Sequence, residues 1–378
     1  MKLEDLSKEV QDEINSNTRH FIAQTIAYKK SSASTKTRIC WDSSRSSKQS
    51  ASLNSILMKG AAEYSVAKML IKFRENKYGI SADISKFYNN LKLDAKHYHL
   101  HLAMWRPNLD PEEEAVIYVL LVHFYGIRSS GGLCLAAIKR IINYAREQNL
   151  ETIARILEAA YVDDCNSSVS TKEEVETIKT NMPGFMRRHG FPIKGLACSG
   201  EAPPDELSED GISVNVAGYK WRPEKDELKI ITPKIFIGKK NKGRYAPGTK
   251  FFNDEVTLEN ITNFFDGTVV NLELIISKTA ELYDPLGFAA PLKVFGNYIA
   301  RRALIESNGN PLQEVSQKTR QLFLQYTYII PLKILQIFLT VKRLSFKPYF
   351  YILSYSFCII LVVLRMGWGL IQYYYGIL

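Results

Sequence analysis

Asp163 and Asp164 stand side by side between short stretches of strand-forming residues, and eighty positions earlier Asp83 lies at the end of another such stretch, residues 79–84. Carboxylates cannot enter an apolar core unpaired, so both stretches must leave their acids at a turn or a sheet edge. Residues 165–169 read as a strand, which predicts a β-hairpin with Asp163 and Asp164 at its turn. A tandem Asp is commonly ordinary turn chemistry. The order of Asp83, a Gly/Ser loop at 126–132 and then residues 161–164 gives the pair its weight.

Around these acids the pattern predicts a mixed α+β chain. Residues 37–41 read as a strand between Ser-rich breaks, and residues 52–74 carry apolar side chains at helical spacing, as one helix or two. Residues 92–105 alternate like a strand pair, and 112–125 fit helix or strand equally. The stretch 133–157 is helical by spacing and content. Residues 172–189 predict a polar-faced helix capped by Ser170 or Thr171, with Glu174 three positions after Thr171. From 214 to 232 short strands resume, and no internal repeat is visible.

The formal charge of +10 would suggest a nucleic-acid or anionic surface. Seven of those ten charges, however, come from Lys and Arg after Glu314, beyond which no acid occurs, leaving +3 for residues 1–314. Residues 29–77 are more informative, with eleven Lys/Arg against Asp42, Glu63 and Glu75. They read either as a phosphate-facing surface or as a solvated face. Five cysteines without metal-type spacing fit reduced thiols inside the cell, cytoplasmic or nuclear. Residues 1–15 are polar and acidic, unlike a secretory leader. Tyr349 to Leu364 form an uncharged run of 16, short of the roughly 20 residues a spanning helix needs. The acid-free segment 315–378 is open to three readings: sequence foreign to the rest, a membrane helix placing 345–378 in a bilayer, or a buried core helix.

Nucleotidyl transfer uses two divalent ions about 4 Å apart, held by hard carboxylate oxygens. The three aspartates with their flanking motifs resemble the reverse transcriptase of BEL/Pao-type long-terminal-repeat retrotransposons. Five stretches carry that resemblance: Thr37-Arg38-Ile39-Cys40-Trp41-Asp42 with Ser52-Leu53-Asn54; Ser81-Ala82-Asp83-Ile84-Ser85-Lys86-Phe87-Tyr88; Phe124-Tyr125-Gly126-Ile127-Arg128-Ser129-Ser130; Tyr161-Val162-Asp163-Asp164 with Gly190-Phe191-Pro192-Ile193-Lys194; and Ser277-Lys278-Thr279-Ala280-Glu281-Leu282-Tyr283-Asp284-Pro285-Leu286-Gly287-Phe288. The last is the least generic and the one that points to BEL/Pao.

The resemblance implies an α+β right-hand polymerase palm, an antiparallel sheet with packed helices, with partial fingers and a partial thumb or connection. The implied boundaries are 1–80 for fingers, 81–222 for palm, 223–314 for thumb or connection and 315–378 for the tail. It further implies two Mg²⁺ ions on Asp83, Asp163 and Asp164, a triphosphate contact from Arg38, and Tyr88 beneath the incoming sugar. Gly126 and Ser129 would lie beside the nascent base pair, Lys194 would protonate the pyrophosphate, and Gly218 and Trp221 would grip the primer. Partners would be an RNA or DNA template, a DNA primer and deoxynucleoside triphosphates, with the oligomeric state open. Trp221 suits a core as well as a primer grip, and each of the others has a plainer alternative, a core position for Tyr88 and a solvated surface for Arg38 and Lys194.

The loop departs from many relatives at Gly131-Gly132, and only 36 residues precede Thr37. A catalytically silent remnant that keeps nucleic-acid affinity therefore stands beside the polymerase reading, as does a membrane-associated protein defined by its tail. His97, His99 and His101, if on a strand, would share one face and imitate a zinc site, though a solvated strand face is the simpler expectation.

Overall fold

The computed structural model of the chain describes residues 1–28, 37–47, 51–60, 65–108, 110, 112–238, 240–241, 244–331 and 340–343. Lys29, Lys30, Lys36 and Lys48 of the basic stretch, the side chain of Arg38 and residues 344–378 of the tail lie outside what is described. So does the membrane expectation for 345–378. No described helix is long and apolar enough to cross a membrane. The chain forms two compact units that divide between Val214 and Asn215.

In chain order the first unit contains α1 (Lys8–Ser16), β1 (Ala23–Tyr28), β2 (Thr37–Asp42), α2 (Leu53–Ile56), α3 (Val66–Glu75), β3 (Tyr78–Ile84), β4 (Leu102–Trp105) and β5 (Val116–Val119). There follow α4 (Ser130–Glu147), α5 (Glu151–Glu158), β6 (Ala160–Tyr161), β7 (Asp164–Val169), α6 (Lys172–Arg188) and β8 (Ile193–Cys198). β1 with β2, and β4 with β5, form two-stranded antiparallel ribbons, and a four-stranded antiparallel sheet runs β6-β7-β3-β8.

That sheet positions the acids through strand alternation. Ile80, Ala82 and Ile84 of β3, Cys165 and Val169 of β7 and Cys198 of β8 share one core with Ile138 and Ile141 of α4, Leu157 of α5, and Ile178, Met182 and Phe185 of α6. Each fully buried large apolar side chain there contributes about 1.5–3 kcal/mol. Side chains alternate between faces, so Ser81 and Asp83, with Asp164, Asn166 and Ser168, belong to the opposite face. A one-residue slip would drive the aspartates into the core, which locks the register. α3 lies over the Ser168 end of that polar face: Ser168 Oγ donates to the Lys72 carbonyl at 2.5 Å, and Asn166 Nδ2 reaches Met69 Sδ at 3.5 Å.

The capping box of α6 forms as its spacing predicts, with Thr171 accepting from the Glu174 amide and Glu174 reaching back to the Thr171 amide. The helical stretch 133–157 is divided instead. Asn149 takes φ +57°, and the Leu150 amide bonds to the Ala145 carbonyl at 2.8 Å, closing α4 before α5 begins. Residues 92–105 are corrected further, because Ala95–Leu100 is a 3₁₀ helix whose N-cap, Asp94, accepts from the Lys96 amide. Local capping outweighs the apparent alternation. His97, His99 and His101 consequently do not line a strand face: His97 is exposed, whereas His101 is buried with Nδ1 2.9 Å from the His97 carbonyl. Burial pushes the His101 imidazole down to about 4.

The division falls within β9 (Val214–Val216), after which the second unit continues with β10 (Tyr219–Arg222) and β11 (Glu227–Ile230). Two small ribbons follow, β12 (Phe236–Ile237) with β15 (Lys250–Phe251) and β13 (Lys240–Asn241) with β14 (Arg244–Tyr245). Then come α7 (Leu258–Phe264), α8 (Leu272–Ala280), α9 (Ala290–Glu306), α10 (Gln317–Ile329) and β16 (Thr340–Lys342). Phe265, Ile275, Ile299, Phe323 and Tyr326 centre its helical core. The β9–β10 turn holds Ala217 at φ +46° and Gly218 at φ +88°, the left-handed pair that tight hairpins use. The described part of the acid-free segment packs here: α10 supplies Leu322, Phe323 and Tyr326 to the core, and β16 pairs antiparallel with β11 at the edge of a sheet ordered β16-β11-β10-β9.

Candidate active site

Asp83 and Asp164 are direct cross-strand partners in the β3–β7 ladder. On the other side Asp83 pairs with Gly195 of β8, and the register shifts between Asp83 and Ile84. Past this irregularity the Ile84 amide donates to the Asp163 carbonyl at 3.0 Å and the Ser85 amide to the Pro192 carbonyl at 2.9 Å. The three strands are thus clamped where the acids emerge.

Asp163 sits on a two-residue turn with Val162, between the paired Tyr161 and Asp164. Val162 adopts φ +61°, a left-handed conformation that strains a β-branched residue by about 1–3 kcal/mol. Such strain survives only where surrounding structure fixes it, and here the β7–β3 ladder and the packing of Val162 against the sheet's core do so.

The electrostatics are those of crowded anions. Burial and the Asp163 carboxylate raise the Asp83 carboxyl above the ordinary range, with Lys194 opposing. Lys194 Nζ stands 3.8 Å from Asp83 Oδ2, too far for a hydrogen bond but close enough to offset part of the charge. Burial, then Asp163, then Asp83 push the Asp164 carboxyl up to about 7. Among the described residues no donor bonds the Asp164 carboxylate.

Two tyrosines close over this end of the sheet. Tyr125 Oη donates to Asp163 Oδ2 at 3.0 Å, and the Tyr125 ring meets Tyr88 edge-on with centroids 4.4 Å apart. Tyr88 is half-buried and leans on the sheet's core, with Phe87 5.6 Å away between ring centroids.

The loop that carries Tyr125 is braced from β2. Gly126 has φ +101°, and a Cβ there would come within 2.9 Å of the Trp41 carbonyl oxygen, so no other residue fits without displacement. Asn54 ties the loop down: its Nδ2 donates to the Gly126 carbonyl at 2.7 Å, its Oδ1 accepts from the Arg128 amide at 2.8 Å, and its own amide donates to the Ser43 carbonyl at 2.9 Å. Ser129 caps α4 without a side-chain hydrogen bond, while the buried Ser130 donates to the Phe124 carbonyl at 3.2 Å. Gly132, in the first turn of α4, lies against the backbone of Gly60: a Cβ at Gly132 would stand 3.2 Å from the Gly60 Cα.

The first unit therefore brings together Asp83, Asp163, Asp164, Lys194 and Tyr88, with Gly126 one residue from Tyr125. The backbone of Arg38 pairs with Ala27 in the β1–β2 ribbon. Gly218 and Trp221 belong to the second unit, where Trp221 is fully buried and its Nε1 donates to Asp226 Oδ1 at 3.0 Å. Sequence reasoning missed Tyr125 and Asn54 as functional side chains. Both lie within the resembling motifs, but their partners are 38 and 72 residues away, and no local pattern signals such pairings.

Among the described residues, no group of three or more His, Cys, Asp or Glu side chains is placed so that it could hold a metal ion. The donor type nevertheless suits divalent cations: the three aspartates offer hard oxygens, and burial with neighbouring carboxylates raises Asp83 and Asp164, with Lys194 3.8 Å from Asp83 opposing. Added positive charge would relieve that repulsion.

No protein-family model matches this chain, and no curated protein is similar to it. Among solved structures it is similar to the foamy viral protease-reverse transcriptase in complex with an RNA/DNA hybrid, at 14% identity and a TM-score of 0.44, over 82% of this chain and 34% of that one. A dRH form of the foamy viral protein with double-stranded DNA gives 15% identity and a TM-score of 0.48, over 81% and 43%. The native prototype foamy virus protease-reverse transcriptase gives 17% identity and 0.37, over 82% and 33%. The chain spans between a third and less than half of the length of those proteins.

Proposed function

We propose that the first unit carries the catalytic centre of an RNA-directed DNA polymerase of the BEL/Pao retrotransposon type. The observation that carries this reading is the convergence of Asp83, Asp163 and Asp164 at one end of a single antiparallel sheet, with Asp83 and Asp164 directly across one ladder. Asp83, Asp163 and Asp164 would hold two Mg²⁺ ions, which supply activation of the primer 3′-oxygen and charge neutralisation on the triphosphate.

The chain's own residues have definable tasks around that centre. Lys194, beside Asp83, holds an ammonium proton that can pass to the departing pyrophosphate, as general acid. Tyr88 is braced from below by the core, so its ring resists displacement by a 2′-hydroxyl and favours deoxynucleotides. Gly126, fixed by Asn54, lets backbone approach a base pair closely. The basic residues of 29–77, Arg38 among them, would meet the template backbone and the triphosphate.

Primer extension on an RNA template, with deoxynucleoside triphosphates and Mg²⁺, tests the reading. The wild-type chain incorporates nucleotides and Asp163→Asn loses at least about a hundredfold, as expected when an electrostatic element of the centre is removed. Equal incorporation by both would overturn the assignment. Incorporation by neither, with retained salt-sensitive RNA/DNA binding, would favour a silent nucleic-acid-binding remnant.

A further inference from the structure

The Tyr125 hydroxyl occupies an oxygen that the polymerase reading reserves for a cation. Its 3.0 Å hydrogen bond to Asp163 Oδ2 uses one of the two carboxylate oxygens on the hairpin turn. Tyr125 is 60% exposed as a residue, yet edge contact with Tyr88 at 4.4 Å holds its ring over the site. Tyr88 in turn is seated on the core, and the backbone after Tyr125 is fastened through Gly126 to Asn54. The hydroxyl is therefore held at the carboxylate from two sides.

We infer that Tyr125 is a positioning residue that guards Asp163: its hydroxyl competes with a divalent cation for Oδ2, and a cation gains full access to the turn only when the Tyr125 ring swings away from Tyr88. This rests on the proposed polymerase reading of the three aspartates. The hydroxyl takes one lone-pair direction of Oδ2, and a cation approaching along that direction must displace it. The exposed face of the ring leaves room for the swing. The same motion would part the Tyr88–Tyr125 pair and open the space above Tyr88, coupling metal entry to nucleotide entry.

The test is Mn²⁺ binding to the full chain, followed by electron paramagnetic resonance of the free ion, for wild type, Tyr125→Phe and Asp163→Asn. Tyr125→Phe keeps the ring and removes only the hydroxyl. It is expected to bind Mn²⁺ roughly 3- to 10-fold more tightly, the equivalent of one ordinary net hydrogen bond. The Mg²⁺ concentration giving half-maximal primer extension should fall by a similar factor, a change that a purely structural role for Tyr125 would not cause. Unchanged or weaker Mn²⁺ binding by Tyr125→Phe, with binding lost in Asp163→Asn, overturns the guarding role and leaves the polymerase reading standing. Mn²⁺ binding that survives intact in Asp163→Asn overturns both.

Discussion

Asp284 in the second unit and Asp164 in the first are both withdrawn from solvent, but their surroundings have opposite character. Asp284 Oδ1 accepts from the Tyr219 hydroxyl at 2.7 Å and Oδ2 from the Ala289 amide at 2.6 Å, while the same tyrosine oxygen accepts from the Leu286 amide at 2.9 Å. Asp226 of the same unit accepts from Trp221 Nε1 and, at 2.8 Å, from Nε of the fully buried Arg343. Asp164 instead faces two further carboxylates, and among the described residues it has no donor at all. The second unit spends donors on its acids and gains a fixed structure. The first leaves the Asp164 carboxylate among like charges instead. Burial alone thus does not set the two acids apart; the neighbouring charges do.

The strongest way to break this contrast is Asp284→Ala, which strands the Tyr219 hydroxyl and the Ala289 amide. It should destabilise the second unit by about 3 kcal/mol, read from urea unfolding. A loss below about 1 kcal/mol would mean that the network is incidental.

Asp164→Asn should do the reverse. With its folded-state value raised from 3.8 to about 7, the Asp164 carboxyl binds its proton more tightly in the folded chain. Stability is then full below about pH 4, falls as pH rises through 7 and is flat above. Removing the charge should add on the order of 2 kcal/mol at pH 8, and the gain should vanish at pH 4. A destabilised Asp164→Asn at pH 8 would show that unseen partners satisfy the acid.

The smallest effect is that of the cation itself. Mg²⁺ at about ten times its dissociation constant should stabilise the wild-type chain by about 1.4 kcal/mol, and Asp163→Asn by less, read as melting shifts at fixed ionic strength. Equal shifts for the two chains would sever the link between unneutralised carboxylates and metal binding.

How much of this was legible beforehand follows from the range of the interactions. The β3 and β7 strands and the cap of α6 follow from alternation and spacing and the grouping of the three aspartates from motif order, while Lys194 beside them was implied by the resemblance alone. Residues 95–100 misled because three alternating histidines resemble a strand, whereas Asp94 offers a cap that turns the chain into a 3₁₀ helix. Tyr125 on Asp163, Asn54 on the Gly126 loop and Tyr219 on Asp284 join residues 38, 72 and 65 apart, and such partners are chosen by packing rather than by neighbours in sequence. Composition also suggested a break at residue 315, yet α10 supplies core side chains to the second unit.

The edge strand β16 carries a practical lesson for anyone expressing this protein. A recombinant boundary drawn at residue 331, where the last of the described helices has ended, would look safe by helix content. It would strip the strand paired to Glu227, Leu228 and Lys229 and leave Asp226 without its buried arginine. The bared rim of β11 would then be free to recruit the same rim of another molecule, and precipitation during purification would be the first symptom.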